Sequence, residues 1–286
     1  MDQATYDRAA EDIDNIVGLE HVNVTIDDQR LATLFYVAGL GFTRDPYLSV
    51  SDDNMWINFG RQQFHLPTRG KPQVLRGHVG VVVPDLDACE KRLGAVREKL
   101  AETRFAFGRA NGHIAATSPW GNEIRVYGPQ PRFGDMQLGM PYVELNVPKG
   151  TAAGIARFYK QAFNVKATAD AQAATVPVGR NQVMIFRETD ASLPAYDGHH
   201  VAVYIADFSG PHKFLKARNL ITEESNPYQY RFTDIVDPDN GQKLYELEHE
   251  VRSITHPMYG RPFINRNPGQ TQRGYVRGYD AFVGEK

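Results

Sequence analysis

One pattern occurs four times along this chain, and that repetition constrains the fold more than any single segment does. Each copy runs from a short strand with alternating or continuous apolar residues into an amphipathic helix, then into shorter strand-like runs. The first opens at Gly18-Leu19-Glu20-His21-Val22-Asn23-Val24-Thr25-Ile26, and its helix carries Leu31, Leu34, Phe35 and Ala38 on one face. The third opens at Pro141-Tyr142-Val143-Glu144-Leu145-Asn146-Val147, and its helix carries Ile155, Phe158, Tyr159, Ala162 and Phe163. Phe35-Tyr36 and Phe158-Tyr159 take the same place in these two copies. The second opens at Arg76-Gly77-His78-Val79-Gly80-Val81 and the fourth at Gly198-His199-His200-Val201-Ala202-Val203, and an acidic turn and a helix follow in both. Each of these ends in a turn before a last strand: Ser118-Pro119-Trp120-Gly121-Asn122 in one, Asp237-Pro238-Asp239-Asn240-Gly241 in the other.

The reading predicts an α+β chain of four βαβββ modules, paired one with two and three with four into two domains with mixed sheets. A chain of 286 residues suits two domains of ordinary size. The predicted bounds are an acidic N-terminal arm over 1–17, a first domain over 18–130, a second over 138–251 and a C-terminal extension over 252–286. The net charge of -2 points to neither nucleic acid nor an anionic membrane as a partner. No apolar run is long enough to span a bilayer, and the N-terminus lacks a signal-peptide pattern, so the expected setting is cytoplasmic. The lone Cys89 excludes an intrachain disulfide and sits in an amphipathic helix, where it reads as a small buried residue. The acidic arm and the Arg-rich extension offer complementary charge, from which a homo-oligomer is expected. No Walker loop, dinucleotide fingerprint, nucleophile elbow or paired Cys-x-x-Cys is present.

Strands opening on His, helices carrying Phe-Tyr before Leu-Gly-Phe, and the Pro-Gly-Asn hairpin before the last strand resemble the vicinal-oxygen-chelate superfamily. The resemblance covers residues 18–250. It implies paired modules that curl into a cup holding a divalent metal, with Fe(II) the first expectation and Mn, Ni or Zn the alternatives. It also implies an enzyme acting on a small oxygenated, aromatic substrate in the manner of extradiol dioxygenases. The alternatives are a glyoxalase-type lyase or isomerase, and a metal-free small-molecule binding or resistance protein.

On the expected pairing, the first-domain ligands are His21, His65 and His78, with Gln63 the competitor of His65 on its strand face. Arg125 stands where the family places a fourth, acidic ligand, and is read as an anion clamp on substrate. The second-domain set is His200, Glu246 and Glu144, with Tyr142 in place of the family's first His and Met184 matched to His65. His249 falls on the opposite strand face and is not counted as a ligand. Tyr142 and, from the extension, His256, Tyr259 and Arg261 complete the residues expected to touch substrate. Against these stands the plainer possibility that a His at the start of a strand is only a hydrogen-bonded core residue.

Overall fold

The computed structural model describes residues 6–45 and 51–260. Within them each copy of the repeat is a βαβββ module. Module one comprises β1 (Ile16–Asn23), α1 (Gln29–Ala32) running on into a π-helical stretch over Thr33–Gly39, β2 (Thr43–Arg44), β3 (Asn54–Phe59) and β4 (Gln62–Pro67). Module two comprises β5 (Gly77–Val82), α2 (Leu86–Val96), β6 (Ala106–Ala110), β7 (His113–Thr117) and β8 (Glu123–Tyr127). Module three comprises β9 (Gly139–Pro148), α3 (Ala152–Phe163), β10 (Thr168–Ala169), β11 (Ala173–Gly179) and β12 (Gln182–Thr189). Module four comprises β13 (His200–Ile205), α4 (Ser209–Lys216), β14 (Ile221–Asn226), β15 (Gln229–Val236) and β16 (Lys243–Ser253).

Local chemistry sets these bounds. The side chains of Asp28 and Asp85 cap α1 and α2 by accepting from Arg30 N and Ala88 N. The stretch after α1 ends at Gly41, whose φ of 83° only glycine adopts freely, and α3 ends on the left-handed Asn164.

The strands form two mixed sheets of eight, ordered β14-β15-β16-β13-β1-β4-β3-β2 and β10-β11-β12-β9-β5-β8-β7-β6. The first sheet therefore joins module one to module four, and the second joins module two to module three. This corrects the expected pairing. In each sheet the seam is an antiparallel contact between two first strands, β1 with β13 and β5 with β9. The likeness of copies one and three, and of two and four, requires an odd copy to meet an even one. Both pairings meet that requirement, so the repeat alone does not choose between them.

Alternation along the strands gives each sheet an apolar and a polar face. On β3, Met55, Ile57 and Phe59 enter the common core with Phe64 and Leu66 of β4. Asn54, Trp56 and Asn58 take the other face, with Gln63 and His65. One hydrophobic cluster spans both sheets and the helices, from Val22 and Phe35 to Val81, Phe158 and Val251. Two glutamines stitch the sheets together. Gln182 of β12 accepts from Leu19 N at 3.1 Å and donates to the carbonyls of Leu19 and Met140. Gln62 of β4 reciprocally accepts from Met140 N at 3.1 Å. These bonds satisfy backbone groups beside irregularities in β1 and β9.

Candidate metal centre

At the seam of the first sheet β1 carries a bulge: Leu19 faces Val203, yet His21 already faces Ala202. The extra residue is Glu20. A regular pleat would send Glu20 and His21 to opposite faces; the bulge lets both serve the polar one. Glu20 Oε2 lies 3.3 Å from His21 Nδ1 and also meets the Arg252 guanidinium.

The structure brings His21, His65 and His200 together, with one donor atom from each inside 4.8 Å of the others. The His21 ring stands 5.6 Å from those of both His65 and His200, centroid to centroid. Trp56 lies flat on His65 at 3.7 Å and edge-on to His21. A carboxylate joins the group from β16: Glu250 Oε2 is 3.7 Å from His200 Nε2. Glu250 sits beside Ala202, the residue that faces His21 across the seam.

The outer layer fixes these side chains. His21 Nδ1 faces Glu20 and His200 Nδ1 faces Glu248 Oε1 at 3.3 Å. A carboxylate at Nδ1 holds the proton there and leaves Nε2 with its lone pair free. Both Nε2 atoms are buried and have no hydrogen-bond partner, an arrangement that is costly unless something is meant to bind there. Asn23 donates to His65 Nδ1 at 2.9 Å, and His65 Nε2 donates to Asn54 Oδ1 at 2.9 Å. Arg252 bridges Glu20 and Glu250, and Arg231 bridges Glu248 and Glu250. Tyr204 OH donates to Glu20 Oε1 at 3.2 Å.

Burial lowers the His65 and His200 imidazoles well below the ordinary histidine value, and the neighbouring histidines add to it. They are neutral, the state in which an imidazole can ligate a metal. Burial would raise the Glu20 carboxyl, but Arg252 and the bond to His21 prevail and bring it to about 2. Arg252 likewise outweighs burial at Glu250 and keeps it ionised. The carboxylates Glu20, Glu248 and Glu250 outnumber the guanidiniums Arg231 and Arg252, so these five groups carry net negative charge next to the neutral His65 and His200 imidazoles. That donor set fits a borderline divalent cation.

No protein-family model matches the sequence, and no curated protein matches it. Solved structures do. A protein from Bacillus subtilis subsp. subtilis str. 168 with the provisional name of dioxygenase superposes with a TM-score of 0.59 at 14% identity, over 92% of this chain and 91% of that one. Glyoxalase I from Zea mays superposes with a TM-score of 0.54 at 14% identity, over 83% of this chain and 92% of that one. This chain has the vicinal-oxygen-chelate fold.

Within the vicinal-oxygen-chelate fold the expected sets are redistributed. His78 does not join His21 and His65. It lies on β5 of the second sheet, 3.2 Å from Tyr142 OH through its Nε2. Tyr142, Glu144 and Arg125 are on that sheet too, and Glu144 pairs with Arg187 at 2.9 Å. Glu246 is part-exposed and bound to Lys243 at 2.7 Å. It shares a strand face with Glu250, but the residue that reaches the cluster is Glu250, two strand repeats further on. Gln63 donates through its amide nitrogen to Asp45 and Asn58, while its Oε1 is buried without a hydrogen-bond partner; His65 is the imidazole of β4 in the cluster. The hairpin registers match His65 with Ile185, not Met184: His65 pairs with Asn23, and Ile185 with Glu144. His249 enters the core and meets Tyr159 OH at 2.6 Å. His256 and Tyr259 lie against the Tyr204 ring, at 6.3 and 4.9 Å, behind the Glu20 layer. Arg261 lies outside the described residues.

Glu20, Glu248 and Glu250 escape the sequence reading. Counting from the turn places the ligand at Glu246. Aligning the ends of the last strands instead, Tyr127 with Arg252, places Glu250 opposite Arg125. That is where the sheet registers put it.

Proposed function

We propose that this protein is a metal-dependent enzyme whose centre lies on the sheet of modules one and four, held by His21, His200 and Glu250 with His65 beside them. The observation that carries the reading is the pair of buried, unpartnered Nε2 atoms on His21 and His200, each backed by a carboxylate at Nδ1. Two imidazoles and one carboxylate form the donor set that suits non-haem Fe(II) and leaves positions for a substrate with adjacent oxygens. When bound, such a metal supplies Lewis-acid polarisation of substrate oxygens and access to dioxygen chemistry. The absence of a histidine at Tyr142 is no objection, because His21 supplies that ligand on the sheet that carries His200.

The chain's own groups have separable tasks. Glu20 and Glu248 fix the tautomers of His21 and His200. Arg252 and Arg231 hold Glu250 ionised and in place. Trp56 backs His65 and His21 with an apolar wall, and its Nε1–H, buried without a partner, is a donor for a substrate oxygen.

The substrate reading is a small aromatic diol, opened with dioxygen. Oxygen uptake by the Fe(II)-loaded protein over a panel of catechols, with Glu250→Gln as control, tests it. Uptake that depends on the catechol and is lost in the variant supports ring cleavage. The nearness of His65 to the other two imidazoles favours a second reading: released from Asn23 or Asn54, His65 becomes a fourth protein donor, which suits a lyase or isomerase in which the metal polarises a carbonyl for proton transfer. No oxygen uptake, together with metal-dependent isomerisation of hemithioacetals, would replace the first reading with the second.

A further inference from the structure

The second sheet repeats the frame of the candidate metal centre with different side chains. Gly80 pairs with Tyr142 as Ala202 pairs with His21, and His78 pairs with Glu144 as His200 pairs with Asn23. Arg125 stands beside Gly80 as Glu250 stands beside Ala202. Tyr142 thus takes the place of His21, His78 that of His200, Arg125 that of Glu250 and Ile185 that of His65.

These exchanges fit one another. The Tyr142 ring occupies the space that Gly80 leaves: a Cβ there would lie 2.2 Å from the ring. The Tyr142 hydroxyl is 3.0 Å from Tyr127 OH and 3.2 Å from His78 Nε2. Arg125 reverses the sign of the charge at its position. Glu250 is held by Arg252 and Arg231, whereas the half-buried Arg125 side chain has no hydrogen bond or ion pair among the described residues. The nearby acids do not neutralise it: Glu144 is engaged by Arg187 at 2.9 Å, and Glu123 is exposed. The same face carries an apolar cluster of Tyr127, Phe133 and Tyr142 with Val183 and Ile185 against it. Where the first sheet sets a carboxylate, the second sets a cation, flanked by hydroxyl and imidazole groups and an apolar wall.

We propose that this face of the second sheet binds a small organic carboxylate, with Arg125 on the carboxylate, Tyr142 and His78 as flanking hydrogen-bond groups, and the ligand's apolar body on the half-buried Val183 and Ile185. A guanidinium forks two parallel bonds onto a carboxylate, and an apolar wall rewards a ligand body that an inorganic anion lacks. The proposal needs no metal and stands apart from the reading of the first sheet.

Calorimetric titration of the full chain with benzoate tests it, with benzamide as the uncharged isostere and inorganic phosphate as the anion without a body. Benzoate is expected to saturate a site below about 10 mM, with benzamide and phosphate at least about tenfold weaker. Arg125→Gln is expected to weaken benzoate by about tenfold or more, Arg125→Lys by less, and His200→Ala by under about twofold. The wild-type comparison of benzoate with benzamide holds even if a variant folds poorly. No saturation by benzoate, equal affinity for benzamide, or unchanged binding in Arg125→Gln overturns the proposal. Tighter binding of phosphate overturns the carboxylate class, and loss in His200→Ala moves the ligand to the first sheet.

Discussion

Replacing Arg252 by methionine removes the cation that joins two buried carboxylates. The Arg252 side chain is 6% exposed and reaches Glu20, Glu250, Gln229 Oε1 and Tyr204 OH. Methionine fills much the same volume, so the loss is chiefly electrostatic. Glu20 sits at about 2 in the folded chain against 4.5 for the free side chain, and roughly 1.4 kcal/mol per unit makes that worth about 3 kcal/mol at neutral pH. Glu250 is shifted in the same direction, while Arg231 remains to share its charge. Breaking buried pairs of this kind from one side costs about 3–5 kcal/mol. The sign with pH follows from the lowered carboxyl. Its contribution is complete above 4.5 and disappears as the pH falls toward 2, so the gap between wild type and Arg252→Met should narrow over that window. Urea unfolding of both proteins between pH 7 and pH 3 reads it, as a midpoint shift on the order of 1 M at pH 7. A gap under about 1 kcal/mol at pH 7, or one that widens on acidification, would refute the electrostatic account.

Two further outcomes follow from the packing. Burial holds His249 at about 4 instead of 6.5, stacked on Phe232 and bonded to Tyr159. Its contribution is full above pH 6.5 and is lost toward pH 4, about 3 kcal/mol of the fall in stability across that window, so His249→Gln should flatten the slope by that share while the buried His65 and His200 keep the rest; an unchanged slope in the variant would count against it. Gly80→Ala drives a methyl into the Tyr142 ring and should cost about 1–3 kcal/mol. Adding Tyr142→Ala should recover part of that loss, and strict additivity in the double variant would show that the ring is not what Gly80 accommodates.

Much of this architecture is legible in the sequence because the repeat is long and periodic. The βαβββ order, the apolar face of α3 and the placing of His249 opposite the polar face follow from periods of 3.6 and 2, whereas the face read for the first helix holds only in part, because the π-helical stretch over Thr33–Gly39 exposes Ala38 and buries Tyr36. The choice of partner for each module does not, because it rests on which first strands meet across the seam, a long-range contact that leaves no local mark. That single ambiguity moved His78 out of the candidate set and joined His200 to His21 and His65. Strand parity sets Glu246 on the face opposite His249, and Glu248 and Glu250 continue that face, but β16 runs from Lys243 to Ser253 where β8 spans only Glu123–Tyr127. Counting from the turn therefore stopped short of Glu250. Glu20 was hidden for another reason: a bulge breaks the very alternation by which a strand is read.

The central claim is most directly tested by the metal content of the full chain, purified anaerobically without a chelating tag, as wild type, His200→Ala and His78→Ala. The account predicts close to one divalent ion per chain in the wild type and in His78→Ala, and its loss in His200→Ala. Loss with His78 alone, or no metal in any sample after reconstitution, would contradict it.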